Sequence, residues 1–124
     1  MKALRAIAVV SGVYDLLIAL PMLFMAPAMA RAFGSPPPQP QVNAELNGVF
    51  TLALAVGYFW AAARPVDRRG YLWVAGVLAK GLGAAVFVFD HFTRGSPAAF
   101  LLFAASDGTL AVVTAALLLH SRPV

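Results

Sequence analysis

Four continuous apolar stretches organise the chain, at residues of about 4 to 25, 44 to 63, 71 to 92 and 98 to 119. Each is close to the ~20 residues that a helix needs to cross a hydrocarbon core. None alternates apolar and polar positions over segments of ~10 residues, as a membrane β-strand would. The pattern predicts an all-α protein in which residues 1 to 124 form a single integral membrane domain, a four-transmembrane-helix bundle with short loops.

The breaks between stretches have the chemistry of connections. GSPPPQPQ at 34 to 41 cannot continue a helix through its prolines, RPVDRRG at 64 to 70 is a short charged turn, and TRGSP at 93 to 97 supplies helix breakers. The first connection is the longest. It opens with APAMARAFG, which reads either as a short helix lying at the membrane surface or as a plain spacer, and the spacer is the preferred reading.

Composition agrees with this pattern. Hydrophobic residues make up 61% of the chain and charged ones 11%, against about 25% charged in soluble domains. The mean hydropathy of +0.82 calls for lipid rather than water around most side chains. A formal charge of +4 is compatible with nucleic-acid binding, but the basic residues sit at the ends of apolar runs instead of clustering on one face, so no nucleic-acid partner is expected. The expected partner is the lipid bilayer. Without cysteine there is no disulfide, thiol nucleophile, zinc-thiolate site or iron–sulfur cluster.

Charge placement also gives an orientation. Lys2, Arg5, Arg64, Arg68, Arg69 and Arg122 fall on one side of the four spans, and Arg31 and Arg94 on the other. By the positive-inside rule both termini are expected in the cytoplasm of a bacterium, with the protein multi-pass in the inner membrane. MKALR followed by an apolar run and APAMA resembles a signal peptide. The run is too long for an ordinary signal core of about 7–15 residues and contains Asp15, so an uncleaved first helix is expected.

Three ionisable residues interrupt the spans. At 1.5 Å per residue, Asp15 lies about 16 Å into the first span, Lys80 about 14 Å into the third and Asp107 about 14 Å into the fourth from the opposite face. All three therefore reach the midplane, where a lipid-facing charge costs about 2.5–3.5 kcal/mol. Small or hydroxylated residues share their helix faces: Ser11 and Ala19 with Asp15, Gly76, Gly83 and Ala84 with Lys80, and Ala104, Ala111 and Thr114 with Asp107. Asp15, Lys80 and Asp107 are expected to face one another inside the bundle. Two carboxylates and one ammonium leave excess negative charge, which requires a proton on one acid or access of water. The group is either a structural clasp or a ligand-binding or proton site. SGVYDLLIAL and ASDGTLAVV each place a small residue or serine just before an acid, an echo too short to be a repeat.

A second polar group is expected at the outer mouth, where Asn43, Glu45 and Asn47 begin the second span and Asp90 and His91 end the third. Histidine beside carboxylates has metal-binding chemistry, but polar helix ends are ordinary at headgroup level, and a solvated rim is the preferred reading. Asn47, about one turn inside, is expected to hydrogen-bond across helices. Tyr58, Trp60, Tyr71 and Trp73 bracket the inner loop like an interfacial aromatic belt. Phe87, Phe89, Phe92, Phe100 and Phe103 read as packing and lipid contact, with an apolar pocket above the acids as the alternative.

The two histidines, His91 and His120, fall on opposite sides and do not pair for haem. P-loop, G-x-S-x-G and H-E-x-x-H patterns do not occur. No metal and no cofactor is expected. The early Tyr14-Asp15, the asparagine at the start of the second span, GYFWAAARPVDRRG closing the first hairpin and the lone Lys80 of the third span resemble small bacterial DoxX-like membrane proteins. That resemblance covers nearly all the chain. It implies a bacterial inner-membrane setting and a role as accessory subunit of a redox or stress-related complex, and it assigns no residue a role.

Three functional readings follow. The first is a binding or transport module for a small or lipophilic molecule, which needs a cavity reaching the acids. The second is a non-catalytic accessory or structural subunit, in which a small-residue face such as Ala53 with Gly57 meets a homo-oligomer or membrane partner. The third, ranked last, is a membrane-embedded enzyme using an Asp as acid or base.

Overall fold

A computed structural model describes residues 2–121. They form α1 (Lys2–Phe24), α2 (Ala26–Ala32), α3 (Gln41–Ala63), α4 (Arg69–Arg94) and α5 (Ala98–His120). All except α2 are long and apolar enough to cross a membrane, and no strand occurs among the described residues. The helices are longer than the apolar stretches because helix limits follow backbone chemistry. Pro40, extended at φ −73 and ψ 151, sets the start of α3 at Gln41, before the apolar run begins. Gly95, left-handed at φ 71, stops α4 after Arg94.

The spacer expected over the first connection is corrected, because residues 26–32 are helical. Pro21 and a break at Met25 end α1, and Pro27 sits in the first turn of α2, where its missing N–H removes no helical bond. The connection between α1 and α3 is nonetheless the longest.

Neighbouring long helices run antiparallel. Arginines tie their ends together at the end of the bundle that holds Lys2 and Ser121. Arg5 Nε donates to the Ala62 carbonyl at 3.0 Å, and Arg69 donates to the carbonyls of Leu118, at 2.6 Å, and Ser121. Arg68 donates to the Trp60 carbonyl, and its guanidinium lies 4.3 Å from the Trp60 ring centroid. These cations meet the exposed carbonyls at the C-terminal ends of α3 and α5, where helix dipoles favour positive charge. The charge bias read from the sequence is thus also a set of end contacts. Arg122, counted in that bias, lies outside the described residues.

The compact core sits at this terminal end. Leu4 and Ala8 of α1, Tyr58, Ala61 and Ala62 of α3, Leu72 and Ala75 of α4, and Leu118 of α5 pack there. Alanine dominates because close helix approach leaves little room for side chains. Large apolar side chains point outward instead, among them Leu17, Val56, Val74, Leu82, Val86 and Val112. Such a surface requires an apolar solvent.

Two details of packing were not expected. Residues Leu72–Ala79 of α4 form a π-helix, whose wider turns keep Leu72, Gly76 and Lys80 facing inward at a spacing of four. Gly76 permits the resulting approach to α5, since a Cβ there would meet Thr114 Cγ2 at 2.9 Å. The second concerns Gly57, offered above as part of a partner-binding face. A Cβ on Gly57 would overlap the Tyr71 ring and hydroxyl, which donates to the Leu54 carbonyl at 2.6 Å. Of the Ala53 and Gly57 face, Ala53 is exposed and Gly57 is half-buried beside this chain's own Tyr71.

Candidate functional site

Asp15, Lys80 and Asp107 meet in the bundle interior. Lys80 Nζ donates to Asp15 Oδ1 at 2.7 Å and stands 3.9 Å from Asp107 Oδ1. The first distance is a charge-assisted hydrogen bond, whereas the second is Coulombic attraction beyond hydrogen-bond length. Asp15 is 4% exposed and Lys80 7%, while the Asp107 side chain keeps 17% of its surface. The cluster is therefore asymmetric, a tight pair with a looser second acid.

Each member is positioned by its own helix. Asp15 shares the inward face of α1 with buried Ser11 and Ala19. Lys80 is the first residue after the π-helical stretch, so the wide turns of α4 determine where its side chain enters. Asp107 stands between Ala104 and Ala111 on the buried face of α5. The small neighbours identified in the sequence line these faces as expected.

Two tyrosines complete the surroundings of the ammonium, with ring centroids 5.0 Å (Tyr14) and 5.2 Å (Tyr58) from Lys80 Nζ. Both distances suit cation–π attraction. Tyr58 was assigned to an interfacial belt; that is corrected, because it is 1% exposed and belongs to the core. Its aromatic body sits in the antiparallel seam, where the Tyr71 ring meets it edge-on at 5.4 Å. Tyr14 was not singled out as a site residue. Its hydroxyl lies 2.6 Å from Ser106 Oγ, which is also within hydrogen-bond distance of the Leu102 carbonyl at 2.7 Å. The residues preceding the two acids, Tyr14 and Ser106, are thus hydrogen-bonded to each other.

Above the cluster lies a cavity of about 520 Å³. Its floor includes Asp15, Lys80 and Asp107, and its wall includes Ile18, Met22, Phe87 and Phe103. Met29 and Ala30 of α2, with Phe33, Pro36 and Pro38 after it, cover the far end. Phe33 stacks on Phe103 at 4.8 Å, and Phe87 stacks on Phe103 at 5.4 Å, joining the connection to α4 and α5. Phe87, Phe100 and Phe103 thus line the pocket named as an alternative, whereas Phe89 and Phe92 are exposed. Phe33 was missed because it stood in a segment read as spacer.

The mouth residues separate into different settings. Asn47 lines the cavity and its backbone carbonyl accepts from Thr51; no cross-helix hydrogen bond from its side chain occurs among the described residues. Asp90 accepts from Arg94 at 3.0 Å and from the Ser96 hydroxyl, and His91 Nδ1 is 2.8 Å from the Ser96 carbonyl. These bonds fasten the turn between α4 and α5 and do not involve Asn43 or Glu45. Among the described residues no three His, Asp or Glu side chains form a metal-holding group.

Burial with so few partners makes the Asp15–Lys80 pair sensitive to loss of either member. Lys80→Met leaves two acids without their cation and is expected to destabilise the folded protein by about 3–5 kcal/mol, the typical effect of breaking a buried pair. Adding Asp15→Asn should recover part of that loss, and adding Asp107→Asn should recover less. Unfolding midpoints of the single and double variants in detergent measure the coupling; strictly additive effects would contradict the pairing.

Comparison of the chain with protein-family models, with curated proteins and with solved structures gives no match, so the role of the site has to be read from its own chemistry.

Proposed function

We propose that the protein is a binding or transport module for a small lipophilic molecule, held in the cavity above Asp15, Lys80 and Asp107. The observation that carries this reading is a space of about 520 Å³ in contact with both acids. That volume lies within the roughly 300–1,000 Å³ of ligand pockets. Its lining fits the same reading: mostly apolar walls give affinity, and a few convergent polar groups at the floor give orientation. Phe50 and Leu54 line the cavity and are also exposed on α3, so single side chains separate it from the flank that would face lipid. The Asp15–Lys80 bond serves as a clasp between α1 and α4 in this scheme, which leaves Asp107 as the more available acid.

The same reading takes the chain as a DoxX-like protein of a bacterial inner membrane, on the strength of its four-span pattern and lone Lys80. Both termini are then cytoplasmic, and α2 and the proline-rich connection face outward. Because the native sequence has no cysteine, single cysteines test this cleanly. In intact cells a membrane-impermeant maleimide should label Gln39→Cys and spare Asp67→Cys. The reverse pattern would invert the protein.

Filling the cavity tests the binding role. Ala30→Trp, on the covering helix, should leave thermal stability in detergent near the native value and weaken uptake of a lipophilic fluorophore such as Nile red by about tenfold or more. Equal fluorophore binding by the two proteins would remove the cavity from the account.

A further inference from the structure

We infer that the ligand of this cavity is a univalent lipophilic cation, an amine or quaternary onium with an apolar body, and that Asp107 is its counter-ion. This inference rests on the proposed binding role and narrows it to one charge class. Among the cavity-lining residues, the ionisable acids and bases are Asp15, Lys80 and Asp107. Two carboxylates face one ammonium, so with the acids ionised one cation completes the charge balance. Lys80 is committed chiefly to Asp15, at 2.7 Å against 3.9 Å to Asp107. Asp107 is also the more exposed acid, with 17% of its side chain open against 5% for Asp15.

A second observation points the same way. Asp15 lines the cavity, is more than nine-tenths buried, and has an oxygen, Oδ2, without a hydrogen-bond partner. The one ammonium lining the cavity is already engaged by Asp15 Oδ1, so Asp107 is the acid left without a close cation. An anion would add to the negative charge of two carboxylates; a cation would answer it. The remainder of the ligand meets aromatic rings. Phe103 stands four residues before Asp107 on α5, on the same helix face, and stacks with Phe33 and Phe87 at the cavity wall. Aromatic rings beside a carboxylate suit a soft organic cation, which gains both charge pairing and cation–π attraction.

Tetraphenylphosphonium and tetraphenylborate, nearly identical in shape and opposite in charge, separate the two levels of this claim. Their binding should be measured by equilibrium dialysis against the full chain in nanodiscs of zwitterionic lipid, corrected with empty discs. Tetraphenylphosphonium should bind at least tenfold more tightly than tetraphenylborate. Asp107→Asn should remove that preference, and Phe103→Leu should weaken cation binding several-fold; circular dichroism and size-exclusion profiles verify that both variants fold. Equal or tighter binding of tetraphenylborate would overturn the cation assignment while leaving the lipophilic cavity in place. Failure of both probes to bind the native protein would overturn the binding role as well. A cation preference that persists in folded Asp107→Asn would overturn Asp107 as counter-ion.

Discussion

A lysine ammonium carried into the middle of an apolar helix must find replacements for its water. Lys80 finds them on other helices: a carboxylate at 2.7 Å on α1, a second at 3.9 Å on α5, and tyrosine rings from α1 and α3 within about 5 Å. One side chain thereby touches all four long helices. In a membrane the apolar surfaces of helices gain little by leaving lipid for one another, so polar contacts and close packing of small residues determine which faces meet. The arrangement around Lys80 supplies the first, and the alanine seam and Gly76 supply the second.

That arrangement divides the bundle. Toward the termini, arginines bind the carbonyl ends of α3 and α5, and small residues close the core. On the other side of the cluster the helices line a cavity, and the short helix α2 with its proline-rich continuation lies over part of it. Polar residues at the boundary between a closed half and a hollow half link the helices and form the floor of the cavity. Clasp and ligand site are therefore compatible: the Asp15–Lys80 bond does the holding, and the looser Asp107 faces the space above.

Much of this was legible in the sequence because it followed from one-dimensional measures. Hydropathy located the four long helices, and rise per residue placed Asp15, Lys80 and Asp107 at one depth, where they meet. What the sequence hid depended on neighbours. The π-helical turns before Lys80 carry no proline or other local mark and arise where α4 packs. Tyr58 and Tyr71 flank the same turn and have the same character, yet one is buried against the ammonium and the other packs on Gly57. Phe33 was obscured by the prolines that follow it. Asp90 and His91 lie at a helix end as expected, but Ser96 and Arg94, only a few residues away, take up their bonds.

The central claim is that two carboxylates and a single ammonium lie at the base of a cavity between the helices and favour a cation there. Its most direct test is the reactivity of a single cysteine replacing Thr51, which lines that cavity, measured in proteoliposomes with methanethiosulfonates bearing either a trimethylammonium or a sulfonate group. Thr51→Cys should react with both faster than Leu82→Cys on the outward surface of α4, and several-fold faster with the cationic reagent than the anionic one after correction for their rates with free thiol. Equal corrected rates for the two reagents, or reaction no faster than at Leu82→Cys, would contradict the account.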